Sequence, residues 1–115
     1  MVTLTQLAAS TESAQFSISV IDDEGNSRDP TSDPVYVTLG AITSPPTEFD
    51  AGAATWYAAT WSTQAGNPTP VYWINATFGP LNGGIPVTVG SFVCYGKVTD
   101  NPDVPVKPLA YMIFN

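Results

Sequence analysis

The chain has 115 residues, of which 43% are apolar and only 11% are charged, and it is long enough for one domain with a single core. Ten acidic and three basic residues give a formal net charge of −7, which argues against the basic surface that nucleic acid or an anionic membrane requires. Soluble domains average roughly 25% charged residues. A surface built instead from uncharged polar side chains is typical of β-sheet faces and of proteins that live in assemblies.

Eleven prolines and nine glycines interrupt the chain and leave little room for a long helix. Between them lie short runs rich in β-branched and aromatic residues, which predict strands. The predicted strands cover residues 14–21, 35–39, 54–61, 70–78, 85–98 and 109–115. Because turn residues separate these runs and no helical period appears, the sequence predicts an all-β domain, either an antiparallel sandwich or a small barrel.

Alternation of apolar and polar residues predicts which face of each strand is buried. The predicted buried faces are Phe16, Ile18 and Val20 in the first strand, Val35, Val37 and Leu39 in the second, and Tyr72, Ile74, Ala76 and Phe78 in the fourth. The third strand carries aromatic residues on both faces, with Tyr57, Ala59 and Trp61 on one of them. Gly90 interrupts the fifth strand and predicts a β-bulge there.

An acidic stretch, DDEGNSRDPTSD, follows the first predicted strand. Its oxygen ligands, with Asp22, Asp23 and Glu24 at the start, are of the kind that Ca²⁺ binds, but their spacing does not match the EF-hand loop. Asp, Asn and Gly are also the residues that turns prefer, because they hydrogen-bond their own backbone or supply positive φ. We therefore predict a turn and no resident metal.

Residues for catalysis are scarce. The chain has no histidine, so Ser–His and Cys–His nucleophiles and histidine metal sites are absent. No glycine-rich phosphate loop appears. The single cysteine, Cys94, lies in the apolar run SFVCY and is predicted to be a buried structural thiol. The sequence predicts a protein that is not an enzyme and uses no cofactor.

Targeting signals are also absent from the sequence as it stands. The start, MVTLTQLAASTESAQ, lacks the basic region of a signal peptide, and nowhere do about 18 apolar residues run together. We therefore expect a protein that is made in a cytoplasm.

The three tryptophans leave two interpretations open. Trp56, Trp61 and Trp73 can form a stacking platform for sugars, or they can pack in the core or at an interface, which is the commoner role of aromatic residues on strands.

The stretch FSISVIDDEGNSRDPTSDPVYVTL combines a strand, a D-x-x-G-N turn, D-P-T and a second strand. It resembles the opening hairpin of immunoglobulin-like domains found in tailed-phage virion proteins and in bacterial surface modules. The later AATWYAATW and PVYWINATF fit the same pattern as successive strands, and SFVCY fits a late strand. The resemblance implies an antiparallel Ig-like β-sandwich. The pair of cysteines that forms the disulfide of antibody-type domains is missing. The single-domain length favours the phage version of the domain.

Both ends of the chain are expected to serve as arms of this sandwich. We assign residues 1–13 to an N-terminal arm, 14–98 to the sandwich and 99–115 to a proline-rich linker and a C-terminal strand. The last strand, LAYMIFN, is apolar on both faces and must be covered on both sides. It either returns to its own sheet or adds to the sheet of a neighbour. The predicted contact residues are Leu109, Tyr111, Met112, Ile113 and Phe114.

The resemblance and the chain ends together predict a structural role. We expect a non-enzymatic protein of a tailed-bacteriophage virion that is assembled in the host cytoplasm. It would be a capsid decoration (cement) protein or a head–tail accessory protein, a homo-oligomer in contact with other virion proteins such as the major capsid protein. The alternative is an Ig-like cell-surface module that binds glycans through Trp56, Trp61 or Trp73.

Overall fold

The computed structural model describes residues 2–18, 29–42, 49–66, 70–81, 83–99 and 106–115. These residues form seven strands and no helix, so the prediction of an all-β domain is confirmed. The strands are β1 (Val2–Gln6), β2 (Glu12–Ile18), β3 (Val35–Ala41), β4 (Tyr57–Gln64), β5 (Val71–Phe78), β6 (Gly90–Val98) and β7 (Val106–Phe114). In the described part of the chain no helix is long and apolar enough to cross a membrane.

All seven strands belong to one sheet, with the order β1-β7-β6-β3-β4-β5-β2. Five neighbouring pairs are antiparallel, and β1 runs parallel to β7. The two edge strands, β1 and β2, follow each other in the chain, so the sheet must curl until its edges approach. The result is a nearly closed, barrel-like sheet with one parallel pair. The strand pattern had left a sandwich and a small barrel open, whereas the family resemblance implied an antiparallel Ig-like sandwich.

The inner faces of the strands form one core. It contains Phe16, Val35, Val37, Ile74, Ala76, Phe78, Ile85, Cys94, Val98, Ala110, Met112 and Phe114. Phe78 lies at its centre, with ring centroids 6.4 Å from Phe16 and 6.2 Å from Phe114. The predicted inward faces of β3 and β5 are confirmed by the burial of Val37 and Ile74. The prediction of a buried thiol at Cys94 is also confirmed, and burial raises the pKa of this thiol to about 12.

A buried amide links the edge strand β1 to the end of β5, the neighbour of the other edge strand. Gln6, at the end of β1, is only 9% exposed. Its Nε2 donates to the Phe78 carbonyl oxygen at 2.9 Å and to the Ser10 carbonyl oxygen at 3.0 Å. The backbone of Asn115 adds to this junction, because its N–H donates to the Gln6 carbonyl oxygen at 2.9 Å. These bonds satisfy backbone groups that a barrel with an incomplete seam would otherwise leave unpaired.

The predicted bulge at Gly90 is wrong, because the irregularity lies elsewhere. Gly90 begins β6 with a positive φ of 149°. The β6–β7 register shifts between Cys94, which pairs with Ala110, and Tyr95, which pairs with Pro108, so Leu109 is the extra residue. Proline has no N–H to donate to a ladder, and a bulge beside it accommodates that loss.

Both terminal segments belong to the sheet, where the sequence predicted extended arms. Residues 2–6 form β1, and β2 already begins at Glu12, inside the expected N-terminal arm. At the other end β7 returns to its own sheet and lies between β6 and β1. The physical reason is that this pairing places Met112 and Phe114 in the core and satisfies both edges of an apolar strand. Of the proposed linker, residues 100–105 lie outside the described residues.

Candidate interaction surfaces

The predicted contact residues of the last strand divide between the two faces of β7. Met112 and Phe114 point inward and are 1% exposed, so they are core residues. Leu109 is half-buried and packs against the core, because it is the extra residue of the bulge and its side chain faces the buried Gly96. Ile113, which is half-buried, and Tyr111, which is 41% exposed, lie on the outer face. From Ala110 onwards the division follows from the alternation of a strand, since successive side chains point to opposite faces. Only the outer group is placed to contact another molecule.

Neighbouring strands extend this outer group into a surface. Tyr111 lies beside Thr3 of β1 and Val93 of β6. In the next row Ile113 lies between Thr5 and Ser91. Ile42, which is 52% exposed, adjoins this row because its N–H donates to the Ser91 carbonyl oxygen at 3.1 Å. The β7 face is defined here as Ile42, Val93, Tyr111 and Ile113. It carries no charged residue.

The three tryptophans do not share a face. Trp61 pairs with the buried Ile74 and packs against the core, and its Nε1 donates to the Asp33 carbonyl oxygen at 2.8 Å. Trp73 neighbours Ile74 in β5 and therefore points outward. Trp56 precedes β4, and its Nε1 donates to the Ala51 carbonyl oxygen at 3.1 Å. A platform that combines all three rings is not what this fold builds.

Trp56 belongs to an aromatic cluster on the outside of β3 and β6 that the sequence analysis missed. Phe49 stacks on Tyr95 with ring centroids 3.8 Å apart and meets Trp56 edge to face at 6.2 Å. The Nζ atom of Lys97 lies 4.5 Å from the Trp56 ring centroid and 5.2 Å from that of Tyr36. These contacts hold the segment 49–56 against the sheet. No local pattern reveals them, because the partners are far apart in sequence.

Trp73 occupies the middle strand of a different surface. It lies beside Ser17 of β2 and Ser62 of β4. In the next row Asn75 lies between Gln15 and Thr60. The outer polar face is defined here by these two rows, which are Ser17, Trp73 and Ser62, and Gln15, Asn75 and Thr60.

A cleft of about 420 Å³ opens between β3, the segment 53–57 and the segment 85–88. Its walls are mainly apolar, with Leu39, Ile85 and Phe92 among them. Among the lining residues that the structure describes, Asp50 is the only carboxylate, and its Oδ1 accepts from the N–H groups of Gly52 and Ala53 at 3.0 and 3.3 Å. The carboxylate is thus part of a turn, and the described walls of the cleft bring no second carboxylate to it.

The described half of the acidic stretch is a turn. Asp29 Oδ1 accepts from the backbone N–H and the hydroxyl of Thr31, at 2.9 and 2.6 Å, and the Asp33 N–H donates to the Pro30 carbonyl oxygen at 2.9 Å. Within the described residues, no group of three acidic or cysteine side chains is placed to hold a metal ion. Asp22, Asp23 and Glu24, the candidate Ca²⁺ ligands, lie outside those residues.

Over the described ranges the geometry therefore presents an apolar β7 face, an outer polar face and a cleft whose walls contain one carboxylate. Comparison with protein-family models, curated proteins and solved structures finds no significant match to this chain.

Proposed function

We propose that this chain is a non-enzymatic structural protein of a tailed-bacteriophage virion, a capsid decoration (cement) or head–tail accessory protein. In this proposal the domain is a variant of the Ig-like sandwich that the D-x-x-G-N and D-P-T turn suggested, closed further by β1 and β7. It binds copies of itself and other virion proteins, such as the major capsid protein, through the β7 face. The single observation that carries the proposal is the apolar outer side of β7.

The β7 face has the chemistry of a subunit contact. Burying an Ile or Val side chain contributes roughly 1.5 to 3 kcal/mol relative to leaving it in water. Tyr111, at 41% exposure, adds the kind of aromatic anchor that is common at interface centres. Because the face carries no charge, a partner pays little desolvation for covering it. Only 11% of the residues are charged, which agrees with a surface that is completed by other chains.

Substitution on this face tests the proposal. Tyr111→Arg places a charge at its centre without touching the core, and Thr77→Arg adds the same charge on an exposed position of β5 that is not part of the β7 face. We expect the wild type and Thr77→Arg to self-associate in sedimentation velocity over a concentration series, and Tyr111→Arg to remain monomeric.

Association with particles separates the virion role from simple self-association. We expect mass spectrometry to find the chain in particles of the phage that encodes it, and purified particles that lack it to take up the wild type but not Tyr111→Arg. A wild type that stays monomeric at every concentration and is absent from particles would contradict the proposal.

A further inference from the structure

The outer polar face has a composition that neither the core nor the subunit contact requires. It comprises Gln15, Ser17, Thr60, Ser62, Trp73 and Asn75, arranged in two consecutive rows across β2, β5 and β4. The inward neighbours of these residues, Phe16 and Ile74, are buried, which fixes the outward direction of both rows. Neighbouring strands lie about 4.8 Å apart, so the two rows form a compact patch around the indole of Trp73.

Hydrogen bonds hold the polar groups of this face in place. Gln15 Nε2 donates to Asn75 Oδ1 at 2.8 Å on the exposed surface. In this orientation the side-chain oxygen of Gln15, Oε1, can accept a hydrogen bond from a ligand, and the side-chain NH₂ group of Asn75 can donate one. Trp73 Nε1 donates to Gln64 Oε1 at 3.3 Å, which fixes the orientation of the indole ring. Donors, acceptors and ring are thus positioned on strands before any ligand arrives, which lowers the entropy that binding must overcome.

The charge of the face selects the class of ligand. Neither row contains Asp, Glu, Lys or Arg, so a charged ligand would find no ion-pair partner there. The chain as a whole carries a net charge of −7, which repels anions. A ligand that suits the face is uncharged, offers many hydroxyl groups and has an apolar side that can lie on an aromatic ring. Sugar rings have these properties, because their C–H groups meet the electron-rich face of an indole.

We propose that the outer polar face binds a neutral polysaccharide, with Trp73 as the stacking platform and with Gln15 and Asn75 as hydrogen-bond partners of the sugar hydroxyls. Trp73 is the only one of the three tryptophans on this face. Trp61 is committed to the core and Trp56 to the aromatic cluster with Lys97. The proposal is independent of the subunit contact through β7, which lies elsewhere in the sheet order.

Affinity electrophoresis tests the proposal with dextran, galactomannan and mixed-linkage β-glucan as neutral polymers and polygalacturonate as the anionic one. We expect at least one neutral polymer to retard the wild type, and polygalacturonate to leave its mobility unchanged. Trp73→Ala should weaken the retardation at least about tenfold, which corresponds to roughly 1.4 kcal/mol. Trp73→Phe should retain part of it. Trp56→Ala and Tyr111→Arg should bind as the wild type does, which keeps this test separate from that of the subunit contact.

The exposed Gln15→Ala substitution serves as a second variant that leaves the core intact, and we expect it to weaken binding to the same polymer. Urea unfolding of each variant establishes that it is folded. The proposal is overturned if no neutral polymer retards the wild type, if polygalacturonate retards it equally, or if folded Trp73→Ala and Gln15→Ala bind as the wild type does. It is also overturned if Trp73→Ala abolishes self-association, because the face would then be a contact between copies of the chain.

Discussion

Replacing Gly79 by alanine should disrupt the packing of the link between β1 and β2 on the end of β5. Gly79 follows β5 directly and has a φ of +138°, a conformation that side chains rarely adopt. A Cβ atom at this position would lie 2.3 Å from the Ser10 carbonyl oxygen and 2.5 Å from the Thr11 Cα. Both are backbone atoms of the link between β1 and β2. The link would therefore have to move away from the sheet.

The expected loss has two parts. Backbone strain at positive φ costs about 1 to 2 kcal/mol. Moving the link also breaks the bond from Gln6 Nε2 to the Ser10 carbonyl oxygen and the bond from the Leu81 N–H to Thr11 Oγ1, each 3.0 Å long. At about 1 kcal/mol for each bond, Gly79→Ala should lower the free energy of unfolding by roughly 3 to 4 kcal/mol. For a chain of this size that corresponds to a fall in Tm of about 15 °C.

Gly83→Ala is the matched control, because Gly83 also has a positive φ, of 71°, but a Cβ there would meet no atom within 4 Å. Gly83→Ala should lower the free energy of unfolding only by the backbone strain, about 1 to 2 kcal/mol. Urea unfolding followed by tryptophan fluorescence measures both variants. Equal losses in the two variants, or a Gly79→Ala protein within about 1 kcal/mol of the wild type, would refute the reasoning that the link packs on Gly79.

Three further substitutions test other contacts. Gln6→Leu should lower the free energy of unfolding by roughly 2 to 3 kcal/mol in urea unfolding because it removes the hydrogen bonds from Gln6 Nε2 to the Phe78 and Ser10 carbonyl oxygens; a loss below about 0.5 kcal/mol would show that these bonds are unimportant. The pKa of Cys94 is raised to about 12 in the folded protein, so between about pH 9 and pH 12 the folded thiol stays protonated while the unfolded thiol ionises. The free energy of unfolding should therefore fall by about 1.4 kcal/mol for each pH unit in this range. Cys94→Ala should show a correspondingly shallower fall over that window, and an identical slope would contradict the assignment. Lys97→Met should lose about 1 kcal/mol through its contacts with Tyr36 and Trp56, and unchanged urea unfolding would argue against those contacts.

Local pattern was sufficient for the strands whose side chains alternate. The faces of Val35 and Val37, and of Ile74, Ala76 and Phe78, followed from a period of two residues, because only one side of a strand meets the core. The burial of Cys94 followed from its apolar neighbours. Prolines and glycines likewise excluded a long helix. These features depend on residues close together in sequence, and the sequence by itself therefore determined an all-β domain and most of its inward faces.

Tertiary structure alone decided how the strands combine and which surfaces remain outside. The parallel pairing of Val2–Gln6 with the last strand joins opposite ends of the chain, and no local signal distinguishes it from a polar arm. The bulge at Leu109 depends on the position of Pro108 beside β6. The separation of Trp61 from Trp73, and of Met112 from Tyr111, depends on which side of each strand the curled sheet encloses. The sequence of a strand determines which side chains share a face, because successive side chains alternate. Which residues each face contacts depends on the register of the neighbouring strands.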